Sequence, residues 1–407
     1  MEAPLAARNP DLPLSGRHVV LGVTGSISCY KAADIASKLR QAGADVEVVM
    51  TPAATKFIAP LTFQSLTGRD VVVDMFSTAE AEAHVEVARR ADAFVIAPAT
   101  ADCLANLAHG NAADMVTLTA LATTAPILVA PAMDNQMWEH PATQDNVATL
   151  RERGVEVVGP MLGRLATGRT GLGRLAEPAQ VVGALRALLG DRMGDLRGRH
   201  IVVSAGPTHE PIDPVRYVGN RSTGKMGFAI AEAARDRGAR VTLVAGPVAL
   251  ESPWGVHRID VATVDQMLIA LEQVTADADA IIMAAAPADF RPATAADHKL
   301  KKADGHDALT VELVQNADII ATLPGGGVRV GFAAETRNLA TYAKQKIPAK
   351  RLDFIVANDV SAAGSGFGTE TNEVIIIHAD GRTEELPLMS KYAVGHAILD
   401  RVLERLP

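Results

Sequence analysis

The sequence is poor in cysteine, in aromatic residues and in long apolar runs. Of its 407 residues, two are cysteines, Cys29 and Cys103, and 4% are aromatic. Two cysteines cannot form a disulfide framework, which favours a reducing compartment. No run reaches the ~18 apolar residues of a membrane span, and residues 1–16 lack the basic start and apolar core of a signal peptide. We expect a cytoplasmic protein with no membrane association, whose residues 1–16 form a disordered tail.

Positive charge is also scarce, since 39 lysines and arginines face 47 acidic residues and the net charge is −8. A broad basic surface for nucleic acid is therefore not expected. Any nucleotide that binds this chain should be a small-molecule substrate.

Apolar residues are abundant, at 48% of the chain, and with few aromatics the core must consist mainly of Ala, Val, Leu and Ile. A chain of this length exceeds one typical core. Strand, glycine turn and helix patterns alternate throughout, which predicts two doubly wound α/β domains of the Rossmann-like or flavodoxin-like kind. We place the domains at residues 17–190 and 199–407, with a polar, glycine-punctuated linker at 191–198.

One stretch, residues 199–227, best displays this pattern. An apolar strand, 200–204, leads through a glycine turn into Asn220-Arg221-Ser222-Thr223-Gly224-Lys225 and a helix start. Exposed amides at such a helix start suit a phosphate. The stretch is not a Walker-type phosphate loop, because Met226 follows Gly224-Lys225. An ordinary helix-capping loop explains the residues equally well.

A similar turn follows the first strand, 18–23, at Gly25 and Ser26, and another follows the strand 91–97 at Ala99 and Thr100. Loops at strand ends lie on the ligand side of an open α/β sheet. Because every parallel α/β unit needs such turns, the pattern alone leaves a phosphate site and a purely structural turn both open.

The order of short motifs supports a resemblance to known families. From Val202 onward the chain resembles phosphopantothenate-cysteine ligases, and the half before it resembles phosphopantothenoylcysteine decarboxylases. The fused order is similar to bifunctional bacterial proteins of coenzyme A biosynthesis, over roughly residues 17–405. The motifs of the second half are SAGPT, DPVRYVGN, STGKMG, AAPADF, KLKK, VGFAAET and VANDV.

For the first half, the resemblance implies an FMN site and an active-site base. The base is His84, in the pattern His-apolar-Glu-apolar just before a predicted helix, although a single histidine is more often structural. The implied FMN-binding positions are Gly25, Ser26, Thr51, Ala99 and Thr100.

Two positions of the first half depart from the family pattern. Asp134 stands where related decarboxylases have the asparagine that binds the substrate carboxylate; Asn135 follows it, and Met137 matches the motif's methionine. Two like charges ~4 Å apart repel by about 4 kcal/mol at an effective dielectric near 20. Either Asp134 is protonated, or Asn135 has taken over the role.

The second departure is Thr167, in a glycine-rich segment that resembles the family's substrate flap. The family has a cysteine here, which donates a proton when reduced flavin returns its electrons. A threonine hydroxyl is a much weaker acid than a thiol. We expect the first half-reaction to survive and the donor to be a water, another side chain or Cys103.

For the second half, the resemblance implies catalytic roles for Asn220 and Lys299 and a substrate site at Ala285 and Ala286. Without it, Asp289 would be a solvated turn residue, Lys299 part of a solvated basic run and Phe332 a core residue. The implied CTP-binding positions are Asp289, Lys299, Asn316, Ala317, Asp318, Ile319, Phe332, Lys346 and Lys350. Mg²⁺ is expected with the triphosphate, and no metal-ligand motif is present in the sequence.

The resulting expectation is a two-step enzyme that condenses phosphopantothenate with cysteine at the expense of CTP and then decarboxylates the product with FMN. One alternative is a ligase with a degenerate flavin domain, and another is a non-enzymatic flavin-binding interaction protein. The resemblance also implies a homo-oligomer. Trimers of the first domain and dimers of the second would together give a dodecamer.

Overall fold

A computed structural model describes residues 11–75, 83–301, 309–335, 346–359, 366 and 368–407. The chain divides into two compact α/β units, Met1–Leu189 and Gly190–Pro407. The predicted fold class is therefore confirmed. In the described part of the chain, no helix has both the length and the apolar character needed to cross a membrane.

The first unit is built on a five-stranded, fully parallel sheet with strand order β2-β1-β3-β4-β5. A separate antiparallel hairpin, β6–β7, follows it. The strands are β1 His18–Val23, β2 Asp45–Met50, β3 Ala93–Ala99, β4 Ile127–Pro131, β5 Glu156–Val157, β6 Met161–Arg164 and β7 Thr170–Arg174. The helices are α1 Cys29–Gln41, α2 Pro60–Thr67, α3 Ala83–Arg90, α4 Ala101–His109, α5 Met115–Ala122, α6 Asn135–Trp138, α7 Pro141–Glu152 and α8 Pro178–Met193.

Burial explains why the strands of this unit are unbroken apolar runs. All seven residues of β3 are buried, as expected for a parallel sheet that is covered on both faces. In α1, by contrast, Ala32, Ile35, Ala36 and Leu39 are buried at helical spacing and form one apolar stripe.

The second unit has an eight-stranded sheet with order β12-β11-β8-β13-β16-β17-β18-β19. It is parallel up to β17, and β17, β18 and β19 are antiparallel neighbours. The strands are β8 His200–Ala205, β9 His209–Pro211, β10 Tyr217–Gly219, β11 Arg240–Ala245, β12 His257–Asp260, β13 Ala280–Met283, β14 Phe290–Pro292, β15 Leu313–Gln315, β16 Val328–Glu335, β17 Phe354–Asp359, β18 Thr371–His378 and β19 Thr383–Ser390. Its helices include α9 Lys225–Asp236, α10 Val264–Val274, α11 Ile319–Thr322 and the C-terminal helix Lys391–Leu403, and residues 346–350 are also helical.

In each sheet the strand order reverses at one place, between β1 and β3 in the first unit and between β8 and β13 in the second. Open α/β sheets bind ligands beyond the carboxyl ends of the strands at such a reversal. The loops that follow these four strands are therefore where a functional site is expected.

Two boundary expectations need correction. Residues 11–16 of the supposed disordered tail form turns in which Leu14 is buried and its amide donates to the Ala42 carbonyl at 2.8 Å; residues 1–10 lie outside the described part. Residues 191–193 of the supposed linker belong to α8, and Leu196 is buried with its amide bonded to the Arg237 carbonyl at 2.9 Å. Because Leu14 and Leu196 are buried, residues 11–16 and the segment around Leu196 are ordered parts of their units.

Candidate functional site

The second unit contains a cavity of about 450 Å³ at the carboxyl edge of its sheet. We call it the lysine cavity, because Lys225, Lys346, Lys350 and Lys391 all line it. The start of α9, the loop after β13, α11 and the ends of β16 and β17 form its walls. Of the residues expected to bind substrate or CTP, it brings together Ala285, Ala286, Asp289, Asp318, Ile319, Phe332, Lys346 and Lys350.

The start of α9 presents backbone amides to this cavity. Gly224 precedes the helix with a left-handed φ of +78°. The first hydrogen bond of the helix joins the amide of Phe228 to the carbonyl of Gly224. The amides of Lys225, Met226 and Gly227 come before it, as at any helix start. Gly227 must be glycine, because a Cβ there would lie 2.5 Å from the Cβ of Ala205. The sequence thus forces this helix start close against β8.

The loop after β13 is tied to the end of β8. Ala285 donates its amide to the Ser204 hydroxyl at 3.1 Å, and Ala286 donates to the Gly206 carbonyl at 2.8 Å. The side-chain amide of Asn220 donates to the carbonyls of Ala286 and Pro287, each at 3.0 Å. The structure therefore places Asn220 beside Ala286, one of the two alanines expected to contact substrate.

Charges of both signs meet in the cavity wall. Lys350 forms an ion pair of 2.9 Å with Asp318, whose carboxylate also accepts the amide of Ala321 at the start of α11. Lys391 is buried and donates to the carbonyls of Gly366 and Thr369, at 2.8 and 2.5 Å. Burial, followed by the charge of Lys225, lowers the pKa of Lys391 below its usual range.

Besides Asn220, three predicted positions of this unit do not line the cavity. Asn316 is buried and donates to the Ala288 carbonyl at 2.8 Å, so it supports the loop that contains Asp289. Ala317 is exposed beside it. Lys299 is also exposed, in an irregular segment outside the cavity wall.

Lys391 is a cavity residue that sequence reasoning missed. It begins the C-terminal helix, directly after the cap residue Ser390, and nothing in its local sequence distinguishes it from a solvated lysine. Asn372, which also lines the cavity, was missed for the same reason. Lys225, in contrast, belongs to the helix-start stretch that the sequence singled out.

In the first unit, the ends of β1 and β3 are joined through Thr24. Its hydroxyl donates to the Pro98 carbonyl at 2.7 Å and accepts the amide of Thr100 at 3.1 Å. The Thr100 hydroxyl then caps α4 by accepting the amide of Cys103 at 3.2 Å. These bonds fix the Ala99-Thr100 loop next to the turn that contains Gly25 and Ser26.

That turn has the properties of an anion cradle. Among the described residues, none accepts a hydrogen bond from the amides of Gly25, Ser26 or Ile27. A Cβ on Gly25 would lie 2.6 Å from the Cβ of Ala53, so the loop after β1 approaches the loop after β2 closely. Thr51 is buried in that second loop and its hydroxyl accepts the amide of Ala54 at 3.2 Å. The five expected cofactor positions thus lie on three adjacent strand-end loops, and they fit a phosphate-bearing cofactor.

His84 is half-buried in the first turn of α3, and not before the helix as the sequence pattern suggested. Residues 76–82, which precede it, lie outside the described part of the chain. Its role as a base stays a prediction.

The two departures from the family pattern lie in contact. The hydroxyl of Thr167 donates to the Asp134 carboxylate at 3.3 Å, and the other carboxylate oxygen accepts the Gln136 amide at 3.1 Å. Asn135 lies against Gly171, where a Cβ would come within 2.8 Å of the Asn135 Cβ. Met137 is exposed nearby.

Cys103, considered as a substitute proton donor, is buried in the apolar core of the first unit. Burial raises the pKa of its thiol well above the usual range, and the carboxylates of Asp114 and Asp102 raise it further. This environment makes Cys103 a core residue and a poor acid.

Comparison with known proteins assigns both units. The family model described as "Flavoprotein" matches residues 8–190, and the model "DNA/pantothenate metabolism flavoprotein C-terminal domain" matches residues 196–406. Among solved structures, the C-terminal domain of a coenzyme A biosynthesis bifunctional protein CoaBC is 38% identical, with a TM-score of 0.44, and the match covers 51% of this chain and 95% of that one.

Full-length relatives match nearly the whole chain. The coenzyme A biosynthesis bifunctional protein CoaBC of Vibrio vulnificus (strain YJ016) is 45% identical over 396 residues, which cover 96% of this chain and 98% of the relative. The CoaBC protein of Bacillus subtilis (strain 168) is 46% identical, with 96% and 97% covered. That of Escherichia coli (strain K12) is 44% identical, with 97% and 98% covered. The chain belongs to the family of coenzyme A biosynthesis bifunctional proteins CoaBC.

Proposed function

We propose that the second unit condenses phosphopantothenate with cysteine at the expense of CTP, and that the first unit decarboxylates the product with FMN. The family places the chain in coenzyme A biosynthesis with a ligase and a flavoprotein decarboxylase unit. The single observation that supports the ligase site best is the lysine cavity. There, four lysines and the amides of a helix start surround a space at the reversal point of the sheet.

This arrangement suits a nucleoside triphosphate. Helix-start amides and the adjacent Ser222 and Thr223 offer donors to phosphate oxygens, and Lys346, Lys350 and Lys225 offer positive charge. In the described part of the chain, no group of three or more His, Cys, Asp or Glu residues could hold a metal ion. Mg²⁺ would accordingly enter with the triphosphate, as is usual for this ion.

In the proposed ligation, the carboxylate of phosphopantothenate attacks the α-phosphate of CTP, forming an acyl-cytidylate and pyrophosphate. The amine of cysteine then displaces CMP. The side-chain amide of Asn220 donates to the carbonyls of Ala286 and Pro287, which line the cavity. From this position Asn220 can contact the acyl-cytidylate. Lys299 would stabilise charge on the α-phosphate, which requires its exposed segment to move to the cavity or a second copy to supply it.

In the proposed decarboxylation, the amides of Gly25, Ser26 and Ile27 would hold the FMN phosphate, and Thr51, Ala99 and Thr100 would lie along the rest of the cofactor. When bound, FMN supplies the oxidation of the substrate thiol and later returns the two electrons. His84 would take the proton of the thiol. The chain's own contribution is otherwise to hold the substrate under the β6–β7 hairpin.

The test is to mix the purified full chain with phosphopantothenate, cysteine, CTP and Mg²⁺ and to identify products by mass. Phosphopantetheine and carbon dioxide are expected, together with a yellow protein that contains FMN. Phosphopantothenoylcysteine alone would show a ligase with an inactive flavin unit. Absence of both products would favour a non-enzymatic flavin-binding protein. Replacing CTP by ATP tests the choice of nucleotide.

Exposed apolar side chains support the proposed self-assembly of each unit. In the first unit, four apolar side chains in or after the Gly25 turn and the loop after β2 are each more than half exposed: Ile27, Tyr30, Phe57 and Leu61. In the second, Phe290 and Leu313 are exposed on the β14–β15 hairpin. Apolar groups clustered on a surface commonly mark protein contacts. A native mass measurement should show a homo-oligomer, with a dodecamer satisfying trimers of one unit and dimers of the other.

A further inference from the structure

The Asp134–Thr167 contact joins the two residues at which the chain departs from the family pattern. We propose that this pair acts as one proton-delivering unit in the reducing half of the decarboxylation: Thr167 passes a proton to substrate and Asp134 resupplies it. The inference rests on the proposed function of the first unit. It assigns the step for which this chain has no cysteine.

The β6–β7 hairpin places Thr167 by fixed contacts. Its turn is closed by the Leu165 amide on the Arg169 carbonyl, at 2.8 Å. Its second strand bonds the segment before α6, since the Met133 amide donates to the Gly173 carbonyl at 2.9 Å. Gly173 has no room for a side chain, because a Cβ would lie 2.1 Å from the Met133 carbonyl oxygen. The hairpin and the Asp134 segment are therefore tightly apposed.

Asp134 is oriented for a relay. One carboxyl oxygen is held by the Gln136 amide at 3.1 Å, which leaves the other directed at the Thr167 hydroxyl at 3.3 Å. A threonine hydroxyl can accept one proton while it donates another. Alone it is too weak an acid, but a neighbouring carboxylic acid can restore the proton it gives away.

The chemistry balances as follows. Loss of carbon dioxide from the oxidised substrate leaves an enethiolate, whose carbon–carbon double bond must be reduced. Bound FMN, in its reduced form, would supply the hydride that the carbon bearing sulfur takes up, and would itself return to the oxidised form. The carbon that lost carbon dioxide takes a proton from the Thr167 hydroxyl. In the ligand-free chain this hydroxyl donates to the Asp134 carboxylate, so the step requires Asp134 first to take a proton from water, which it then gives to Thr167. The sulfur takes a second proton from water.

The rival explanation is that the hydrogen bond only fastens the hairpin. Asp134→Asn separates the two, because an asparagine side-chain oxygen can still accept the Thr167 hydroxyl but has no acidic proton to give. How firmly the hairpin is held is measured in the ligand-free full chain by the rate at which trypsin cleaves after Arg169. Asp134→Asn should be cut at the wild-type rate, whereas Thr167→Val, which cannot donate, should be cut faster.

Proton delivery is measured in the FMN-loaded full chain by stopped-flow absorbance with phosphopantothenoylcysteine. The quantity is the ratio of the flavin reoxidation rate to the flavin reduction rate. A general acid commonly contributes about 10² to 10⁴ in rate, so Asp134→Asn and Thr167→Val should each lower this ratio about 100-fold or more. Thr167→Ser should keep it. Thr170→Val, in the same hairpin, is the matched control and should also keep it.

The double variant Asp134→Asn with Thr167→Cys recreates the family pair and should restore the ratio to within about tenfold of wild type. A wild-type ratio in Asp134→Asn would overturn the proposal. So would a ratio that falls only in variants with faster trypsin cleavage. If the natural chain neither reduces flavin nor releases carbon dioxide, the decarboxylase function itself fails, and the relay fails with it.

Discussion

The carboxylate of Asp213 accepts a hydrogen bond of 3.1 Å from the amide of Leu300, the residue that follows Lys299. The same carboxylate accepts the amides of Val215 and Arg216, at 2.8 and 2.9 Å. The Arg216 guanidinium bonds both Asp213 and the Leu300 carbonyl, at 3.0 and 2.6 Å. The exposed segment that contains Lys299 is thus held at Leu300 by the buried carboxylate of Asp213.

Asp213→Asn should impair ligation, although Asp213 does not line the lysine cavity. An asparagine offers one acceptor oxygen where three amides and a guanidinium now share a carboxylate, so the segment that presents Lys299 should loosen. We expect kcat for CTP-dependent pyrophosphate release to fall about tenfold or more. Asp297→Asn, on the exposed part of the same segment, is the control and should stay near wild type. Equal rates in both variants would show that the anchor is irrelevant to the reaction.

Asp213 also gives the second unit an acid-sensitive contact. Burial raises its pKa, but the amides of Val215, Leu300 and Arg216 and the Arg216 guanidinium outweigh it and lower the pKa to about 2. A depressed carboxyl pKa stabilises the fold above the unfolded value of about 3.9, and this stabilisation is lost as the pH falls from about 4 to about 2. Melting temperatures over that range should fall less steeply in Asp213→Asn than in wild type. Parallel curves would contradict the assignment.

Lys299→Gln should remove most ligation while the fold is retained. Removing one donor that stabilises transition-state charge commonly costs about 10² to 10³ in rate. The neighbouring Lys301→Gln is the matched control, since it removes the same charge from the same exposed segment. Near-wild-type turnover in Lys299→Gln would show that the role implied by the family does not apply to this chain. Circular dichroism of both variants verifies folding.

Sequence reasoning succeeded where local pattern and family motif coincide. The strands His18–Val23 and His200–Ala205 follow from apolar runs and turn signals, and the turns at Gly25 and Gly224 follow from the glycines. It failed where long-range packing decides. No local signal tells that Thr167 reaches Asp134, or that Lys391 lies beside Lys225, because these contacts depend on how distant segments fold back on the sheets.

Gly25→Ala should abolish flavin binding. The added Cβ would lie 2.6 Å from that of Ala53, so the turn must shift and its amides must leave the position proposed for the FMN phosphate. The full-length variant should purify colourless and should not take up added FMN, while CTP-dependent ligation continues. Gly326→Ala, where a Cβ would meet no atom within 4 Å, is the control and should remain yellow. A yellow Gly25→Ala protein would place the phosphate elsewhere.

Lys391 should determine how tightly the ligase unit binds CTP. Its ammonium group has three donors, and two of them bond the carbonyls of Gly366 and Thr369. Lys225 bonds the Gly368 carbonyl of the same segment, at 2.8 Å. The third donor of Lys391 remains to face a phosphate oxygen across the cavity that it lines.

Lys391→Met keeps the length of the side chain and removes both the charge and the donors. Because one hydrogen bond to a charged group contributes about 1.5 to 3 kcal/mol, the KM for CTP should rise at least about tenfold. The KM for cysteine should change little, since the lost charge lies in the site proposed for the triphosphate. Lys38→Met, at a partly exposed lysine on α1 that lies in the other unit, controls for the change in net charge. An unchanged KM for CTP in Lys391→Met, with a normally folded protein, would remove Lys391 from the binding site and leave it only a support for Gly366 and Thr369.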